Sequence, residues 1–385
     1  MKHSVALYDA ASADRIPWPD TVEGRRAKAY LLPMLRNGTA RYVANARTRL
    51  IVAVVDGATL LPCTVNEAEY DNSYVCSPYS HYVRYAKEEL KFLRMPLLER
   101  LLSALLTAIG GLFRLSRFNR VVHVNNWLLS TNLYPPLTAS QCAALLDKLR
   151  ADYPSHAIAF RSLSRTVNGG LLDALVGQGC RAVASRQIYL LKPDDPAFSN
   201  AKARWLLKRD YALLARGGYS VAAGPDMPRE WAVRILELYN QLYLDKYSYE
   251  NPQLTRAFIA AALEEGTLTV CGLHTGGRLD AVLGYYSLNG VMTTPLFGYD
   301  RTVPQQAGLY RMLSAVLIRQ AEAGGLLLHE SSGAAQFKRN RGAKADFEYS
   351  AVYDRHLPWR RRWCWALLEK LLNGIGVPLL RKLKL

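Results

Sequence analysis

Between Thr267 and Tyr353 the chain carries three extended runs separated only by tight turns, and no other feature restricts the fold as much. TLTVCGLH turns through Thr275-Gly276-Gly277 into LDAVLGYYSL, which turns at Asn289-Gly290 into VMTTPLFGYD. Turns this short can join only antiparallel neighbours. An amphipathic helix, GLYRMLSAVLIRQAEAGG, comes next, then a Leu-rich strand, LLLHESSG, and a last β-rich stretch, FKRNRGAKADFEYSAVYD. An antiparallel meander continued through a helix to further strands predicts a mixed sheet with helices on its faces, an α/β (α+β) fold.

The first half reads similarly. Residues 47–62 form a hairpin around Asp56-Gly57, a dipeptide suited to a turn with two positive φ angles. The tyrosine-rich stretch 66–85 reads as an irregular loop. A short strand is expected at Arg120–Asn125, and Thr138 with Gln141 three residues on makes a capping box that opens a helix. A strand over 156–160, a helix over 170–179 and a strand over 186–192 complete a β-α-β-α-β order. After the polar joint 193–200 come a basic helix, AKARWLLKRDYALLARGG, the strand YSVAAG, and helical stretches over 229–247 and 254–265. At 385 residues the chain exceeds one comfortable core, since single cores stop growing near roughly 250–300 residues. The expected division is 1–195, 196–355 and a C-terminal basic amphipathic segment, 356–385.

Net charge is +17, from 49 Lys plus Arg against 32 Asp plus Glu, so the surface attracts polyanions or anionic membranes. The excess concentrates at the end. His356–Leu385 holds Arg360, Arg361, Arg362, Lys370, Arg381, Lys382 and Lys384 against the single Glu369, interleaved with Trp359, Trp363, Trp365 and leucines. That composition suits an interfacial helix on an anionic membrane surface; the other reading is a helix packed on the protein's own core. A second apolar stretch, Leu90–Phe118, has an uncharged centre from Leu101 to Phe113 of only 13 residues, against about 20 for a membrane span. It is expected to lie on a membrane, or to form a buried hairpin broken at Gly110-Gly111, rather than to cross. The start, MKHSVALYDAASADRIPWPD, lacks the apolar core of a secretory signal, and the six cysteines are scattered with no metal-ligand spacing. The expected location is the cytoplasm, peripheral and monotopic on the inner membrane.

The order of elements from Ala281 to Tyr353 resembles the acetyl-CoA-binding half of the GNAT N-acyltransferase superfamily. The ending Gly333-Ala334-Ala335-Gln336-Phe337-Lys338-Arg339, then Arg341-Gly342-Ala343, is similar to that of the two-domain FemAB-like and CelD-like branch over roughly residues 130–355. The resemblance implies two tandem GNAT-like domains, a degenerate one followed by a functional one. It implies a donor pyrophosphate on the helix that follows Met292–Tyr299, where orphan N–H groups make an anion site. The positions matching the phosphate loop are Gln305, Gln306, Ala307 and Gly308, with a Gln and a single Gly kept. The donor is then acyl-CoA, acyl-carrier protein or aminoacyl-tRNA, with no permanently bound cofactor and no metal.

Direct acyl transfer needs a base for the amine and an acid for the leaving thiolate. His329 and Glu330 end a strand where α/β sheets place ligands and are the base candidates; Tyr310 is the candidate acid, with Tyr285, Tyr286 and Tyr299 as others. Lys338, Arg339 and Arg341 are candidate phosphate clamps, or else a solvated turn. The polar loop between two helices supplies Lys246, Tyr247 and Asn251 as candidate acceptor contacts, with Tyr299. No GxSxG elbow, Walker A loop, HExxH or GxGxxG occurs. The expected activity is transfer of a long acyl chain to a membrane amine, similar in type to bacterial ceramide synthases acting on a sphingoid base. The alternatives are FemAB-like transfer from aminoacyl-tRNA to a cell-wall precursor, or a non-catalytic membrane-binding module.

Overall fold

Twelve strands form one continuous mixed sheet in a computed structural model that describes residues 3–93 and 95–383; Lys384 of the basic tail and Arg94 of the apolar stretch lie outside them. The strands are β1 (Val5–Tyr8), β2 (Arg49–Val55), β3 (Thr59–Asn66), β4 (Val121–Val124), β5 (Ala157–Ser164), β6 (Arg181–Leu191), β7 (Ser220–Ala223), β8 (Thr269–Thr275), β9 (Arg278–Leu288), β10 (Val291–Tyr299), β11 (Leu327–His329) and β12 (Lys344–Tyr353). The helices are α1 (Val22–Asn37), the single turn α2 (Ala86–Glu89), α3 (Pro96–Leu115), α4 (Ala139–Asp152), α5 (Arg165–Gly177), α6 (Ala201–Arg216), α7 (Ala232–Leu242), α8 (Arg256–Glu264), α9 (Leu309–Ala323), α10 (Ala335–Asn340), α11 (Trp359–Leu371) and α12 (Val377–Leu383).

The order across the sheet is β1-β2-β3-β4-β5-β12-β6-β11-β10-β9-β8-β7. Only β4–β5 and β10–β11 are parallel pairs, and each is linked through a helix, α4 or α9, as parallel neighbours require. Read inward from either edge, the sheet has four strands in sequence order, a parallel fifth, and then a closing strand. The closing strands are exchanged. β12, the last strand of the second half, pairs with β5 of the first, and β6, the last strand of the first half, pairs with β11 of the second. The fold is therefore two halves of the same strand order, interlocked in space through their closing strands. Alternation along β2 sends Val52 and Val54 to a core under α1, α7 and α8, and Ile51, Ala53 and Val55 to a core under α4 and α5, the period-2 burial of a sheet covered on both faces.

Three stretches differ from expectation. The end of 66–85 is ordered as a wide helical turn, Ser80–Tyr85, because Tyr79 and Val83 bury against α3. α3 runs unbroken through Gly110-Gly111, so there is no hairpin there; Gly110 is needed because a Cβ would sit 3.0 Å from the Tyr79 hydroxyl and from Val83. At 20 residues α3 is long and apolar enough by length and composition to cross a membrane, because its charges cluster near its ends. The C-terminal segment packs on the protein itself. Cys364, Trp365 and Leu368 of α11 are buried, Arg181 and Glu369 pair at 2.9 Å, and the Asn373 amide bonds to the Ala182 carbonyl at 2.7 Å and the Ala184 N–H at 3.0 Å.

Candidate functional site

The parallel pairing of β10 and β11 stops at Thr293 and His329, and a cavity of about 420 Å³ opens there. β10 bulges at this point: between Thr293 and Leu296 it carries one residue more than β9, and Pro295, which has no N–H to give a ladder, occupies the bulge. Thr294 lines the cavity, and its hydroxyl has no protein partner. The second half's share includes Phe297, Tyr310 and Ser314, His329–Ala334, Lys338, and Tyr243, Tyr247 and Asn251. The first half contributes Tyr74, Tyr85, Glu88, Glu89, Lys91, Ser130 and Arg186. A second cavity of about 650 Å³ runs along the start of α9, lined by Lys246, Tyr299, Arg301, Gln305 and Gly308, and shares Tyr247, Tyr310 and Ala334 with the first. The two cavities adjoin, with Tyr310 on the wall of both.

Gly308 is the hinge of the second cavity. Its left-handed conformation (φ 78°) turns the chain from the Gln305–Ala307 turn into α9, a geometry that glycine adopts at little cost. No side chain caps this helix start. The equivalent helix of the first half, α4, is sealed by its own Thr138–Gln141 capping box. The open helix start can therefore receive an anion, and the sealed one cannot.

Glu330 follows β11 directly. Its Oε2 atom is buried without a hydrogen-bond partner, and burial pushes its carboxyl above the ordinary range, against the pull of Lys338 and Arg341. Lys338 lines the same cavity, with its ammonium directed to the backbone carbonyls of Glu330 (2.5 Å) and Ser332 (2.9 Å). Burial lowers its pKa, opposed by Glu330. Lys338 thus clamps the loop that presents Glu330. Burial raises the Tyr310 hydroxyl, and the charge of Glu330 adds to that, so the phenol stays protonated.

His329 is placed differently. It is 3 % exposed, its Nδ1 accepts from the Ser331 N–H at 3.1 Å, and Nε2 lies 3.1 Å from Glu348 Oε1 without aligning as a hydrogen bond. With Nδ1 taken by an amide hydrogen, the ring proton sits on Nε2, so both nitrogens face protein groups. Glu348 is in turn held by Arg186, 2.6 Å through Nε and 3.2 Å through Nη2. Although burial opposes ionisation, Arg186 and His329 keep this carboxyl well below its usual range. Arg186 also donates to the Ser130 carbonyl (2.8 Å) and Thr131 Oγ1 (2.9 Å).

The remaining candidates divide. Arg341 reaches neither cavity: it makes a two-pronged pair with the fully buried Asp210, which also holds Arg311 at 2.6 Å. That makes it a strut between α6 and the start of β12, and leaves no guanidinium edge for a phosphate. Arg339 bonds to Tyr189 Oη at 3.1 Å, away from both cavities. Lys246 lies 3.4 Å from Tyr299 Oη in the second cavity, while Gln306 and Ala307 form the exposed turn beside Gln305. Asn251 lines the first cavity, but its amide is spent on the carbonyls of Tyr243 (2.9 Å) and Ser248 (3.0 Å), so it shapes the loop. Tyr285 bonds to Gln320 at 3.2 Å, and Tyr286 to the 131–133 loop; neither lines these two cavities, and Tyr286 lines a separate one of about 310 Å³ with Arg26 and Trp127. Cys271 is a buried free thiol that burial pushes up to about 11.

No protein-family model matches the sequence, and no curated protein does. Among solved structures the chain is similar to L-PGS from Bacillus licheniformis, at 16% identity over 60% of this chain and 77% of that one, with a TM-score of 0.45. It is similar to FemX at 10% identity, 60% and 79% coverage and a TM-score of 0.43. It is also similar to the tandem GNAT protein from the clavulanic acid biosynthesis pathway, at 11% identity, 91% and 98% coverage and a TM-score of 0.40.

Proposed function

We propose that this chain is an N-acyltransferase that moves an acyl group from a thioester, acyl-CoA or acyl-carrier protein, to the amine of a lipidic acceptor such as a sphingoid base. The observation that carries this reading is Glu330: a buried carboxylate with an unpartnered oxygen, raised above its ordinary range, on the wall of the first cavity. The donor's phosphates lie at the uncapped start of α9, with Lys246 and Arg301 near, and its thioester reaches past Tyr310. The acceptor occupies the cavity beneath Tyr85, with Glu88, Glu89 and Lys91 on its wall.

In the reaction the amine nitrogen bonds to the thioester carbonyl carbon and Glu330 takes the proton that nitrogen sheds. The carbonyl oxygen gathers charge beside the Thr294 hydroxyl at the bulge, the C–S bond then breaks, and Tyr310 donates to the departing thiolate. The products are an amide and a free thiol. A general base in this position is worth roughly 10²–10⁴-fold in rate. His329 acts as a positioning residue, linking the loop that carries Glu330 to the Arg186–Glu348 pair.

The test is incubation with mixed acyl-CoAs and long-chain amines, with mass spectrometry of the products, alongside the Glu330→Gln variant. An amide formed by the native chain and lost in the variant supports the reading. Full activity in Glu330→Gln sinks the base assignment. Transfer from aminoacyl-tRNA with none from acyl-CoA replaces the donor, the Lys246–Arg301 groove then taking an RNA end.

A further inference from the structure

The helix α3 carries an uncovered apolar surface. Leu97, Leu101, Leu105, Leu112 and Leu115 are each more than half exposed, and their spacing of four, four, seven and three residues puts them on one helical stripe. Only Gly110 and Phe113 of this helix are buried. Phe113 stacks 4.6 Å from Phe118 and 5.8 Å from Trp363 of α11, so the C-terminal helix adjoins the end of α3. Trp359, one turn before Trp363 and on the same face, is 71% exposed. Exposed cations ring this surface: Arg100, Arg117 and Arg360.

The same helix borders the entrance of the first cavity. The segment Ser80–Leu93 runs back along α3, with Lys87 Nζ 2.6 Å from Thr107 Oγ1, and it carries Tyr85, Glu88, Glu89 and Lys91, which line that cavity. A stripe of leucines edged with cations therefore lies beside an opening on which Glu88 and Glu89 outnumber Lys91.

We infer that α3 lies in the plane of an anionic bilayer and holds the Glu88–Glu89 entrance against it, so that a membrane amine enters head first while its chain stays in lipid. The inference rests on the proposed function for the identity of the amine, but not for the surface. Leucines and tryptophan on one face with cations at its border suit the interface of an anionic membrane. A second copy of the chain would set the cations of this border against each other. Crossing the bilayer would require Phe113 to leave its aromatic cluster and Gly110 its contact with Tyr79, which fixes the helix in-plane despite its length.

The experiment uses the full chain, sedimented with phosphatidylcholine vesicles with and without phosphatidylglycerol, against the double variant Leu101→Arg/Leu105→Arg. Sedimentation that requires the anionic lipid, weakens with salt, and falls at least about tenfold in the variant is expected. The melting point should not move, because both side chains are already exposed. Equal sedimentation of the two proteins overturns the inference; so does a native dimer in light scattering that the variant abolishes, with no vesicle binding. On an acceptor carried in vesicles the variant's kcat/KM should fall, and on one dispersed in detergent it should not. A chain that binds vesicles as described yet acylates no amine would refute the proposed function and leave the surface standing.

Discussion

Glu348 offers the sharpest test of how the site is held, because it joins strands from different halves. Its carboxylate is 2% exposed, 2.6 Å from Arg186 Nε, and approached at 3.1 Å by His329 Nε2. Glu348→Gln keeps the shape and removes the charge, leaving Arg186 buried with only the Ser130 carbonyl and Thr131 hydroxyl as neutral partners. Breaking a buried pair from one side costs about 3–5 kcal/mol, since the other charge stays desolvated. Unfolding entropy of about 2.1 cal/mol/K per residue over 385 residues comes to roughly 0.8 kcal/mol/K. The melting point should therefore fall by about 4–6 °C, read by differential scanning calorimetry at neutral pH. Replacing both partners, Arg186→Met with Glu348→Leu, should recover most of that loss, because an apolar pair leaves no orphan charge. The folded-state pKa of Glu348 is depressed, so its stabilisation is present above the ordinary Glu value of about 4.3 and fades as pH falls below it. A Glu348→Gln protein melting within about 1 °C of native at neutral pH would refute the claim that this charge pair holds the two closing strands together.

Other outcomes follow from single contacts. With the carboxyl of Glu330 raised, kcat should rise with pH through a value above the ordinary glutamate range of about 4.3; Glu330→Gln should remove that limb. Gly342 has φ +96°, and a Cβ there would meet the Phe198 carbonyl oxygen at 1.9 Å. Gly342→Ala should cost at least about 2 kcal/mol in urea titration, and an unchanged midpoint would contradict the packing of that loop. Trp365→Ala should lose about 3–5 kcal/mol, since the indole is 2% exposed and stacks 4.4 Å from Phe118. If the variant were fully stable, the C-terminal helix would not belong to the core.

Local chemistry was readable from sequence, and long-range pairing was not. Asn289-Gly290 and Asp56-Gly57 both have the paired positive φ angles that their residue types suggest, and Thr138–Gln141 forms its capping box. The strand end carrying Glu330 follows from a run of leucines meeting Ser331-Ser332-Gly333. Arg341 misled because its partner, Asp210, lies 131 residues away, and a basic triplet in a turn looks alike whether it faces a phosphate or a buried carboxylate. Arg186 and Glu348 are 162 residues apart, and nothing local marks either as part of a site. One legible sign passed unread: Pro295 sits inside a strand pattern, where proline is tolerated at a bulge, and the bulge is where the cavity begins. In the 66–85 stretch tyrosines and turn formers suggest a loop, yet Val83 and Tyr79 bury against Gly110, so tertiary packing imposes a helical turn.

The strand exchange decides why one half holds the site and the other does not. In the first half the gap beyond the β4–β5 pairing is stitched shut. The Tyr134 hydroxyl donates to the Arg161 carbonyl at 2.7 Å, the Asn126 amide reaches the Val75 carbonyl at 2.9 Å and Thr64 Oγ1 at 2.8 Å, and the Asn132 N–H donates to Ser162 Oγ at 3.0 Å. With α4 capped as well, that gap offers no open helix start to a phosphate. In the second half the corresponding gap stays open, and the strand that closes it, β6, belongs to the first half and brings Arg186 to its wall. The sealed half is thus a structural donor to the open one, supplying the guanidinium that fixes Glu348 and His329 and the Tyr85–Glu89 entrance. A second half produced alone from residue 196 would lack β6 between β11 and β12 and with it the register that presents Glu330. Its failure to bind donor or acceptor would follow from that missing strand, even though every residue proposed to touch the reacting atoms is still present.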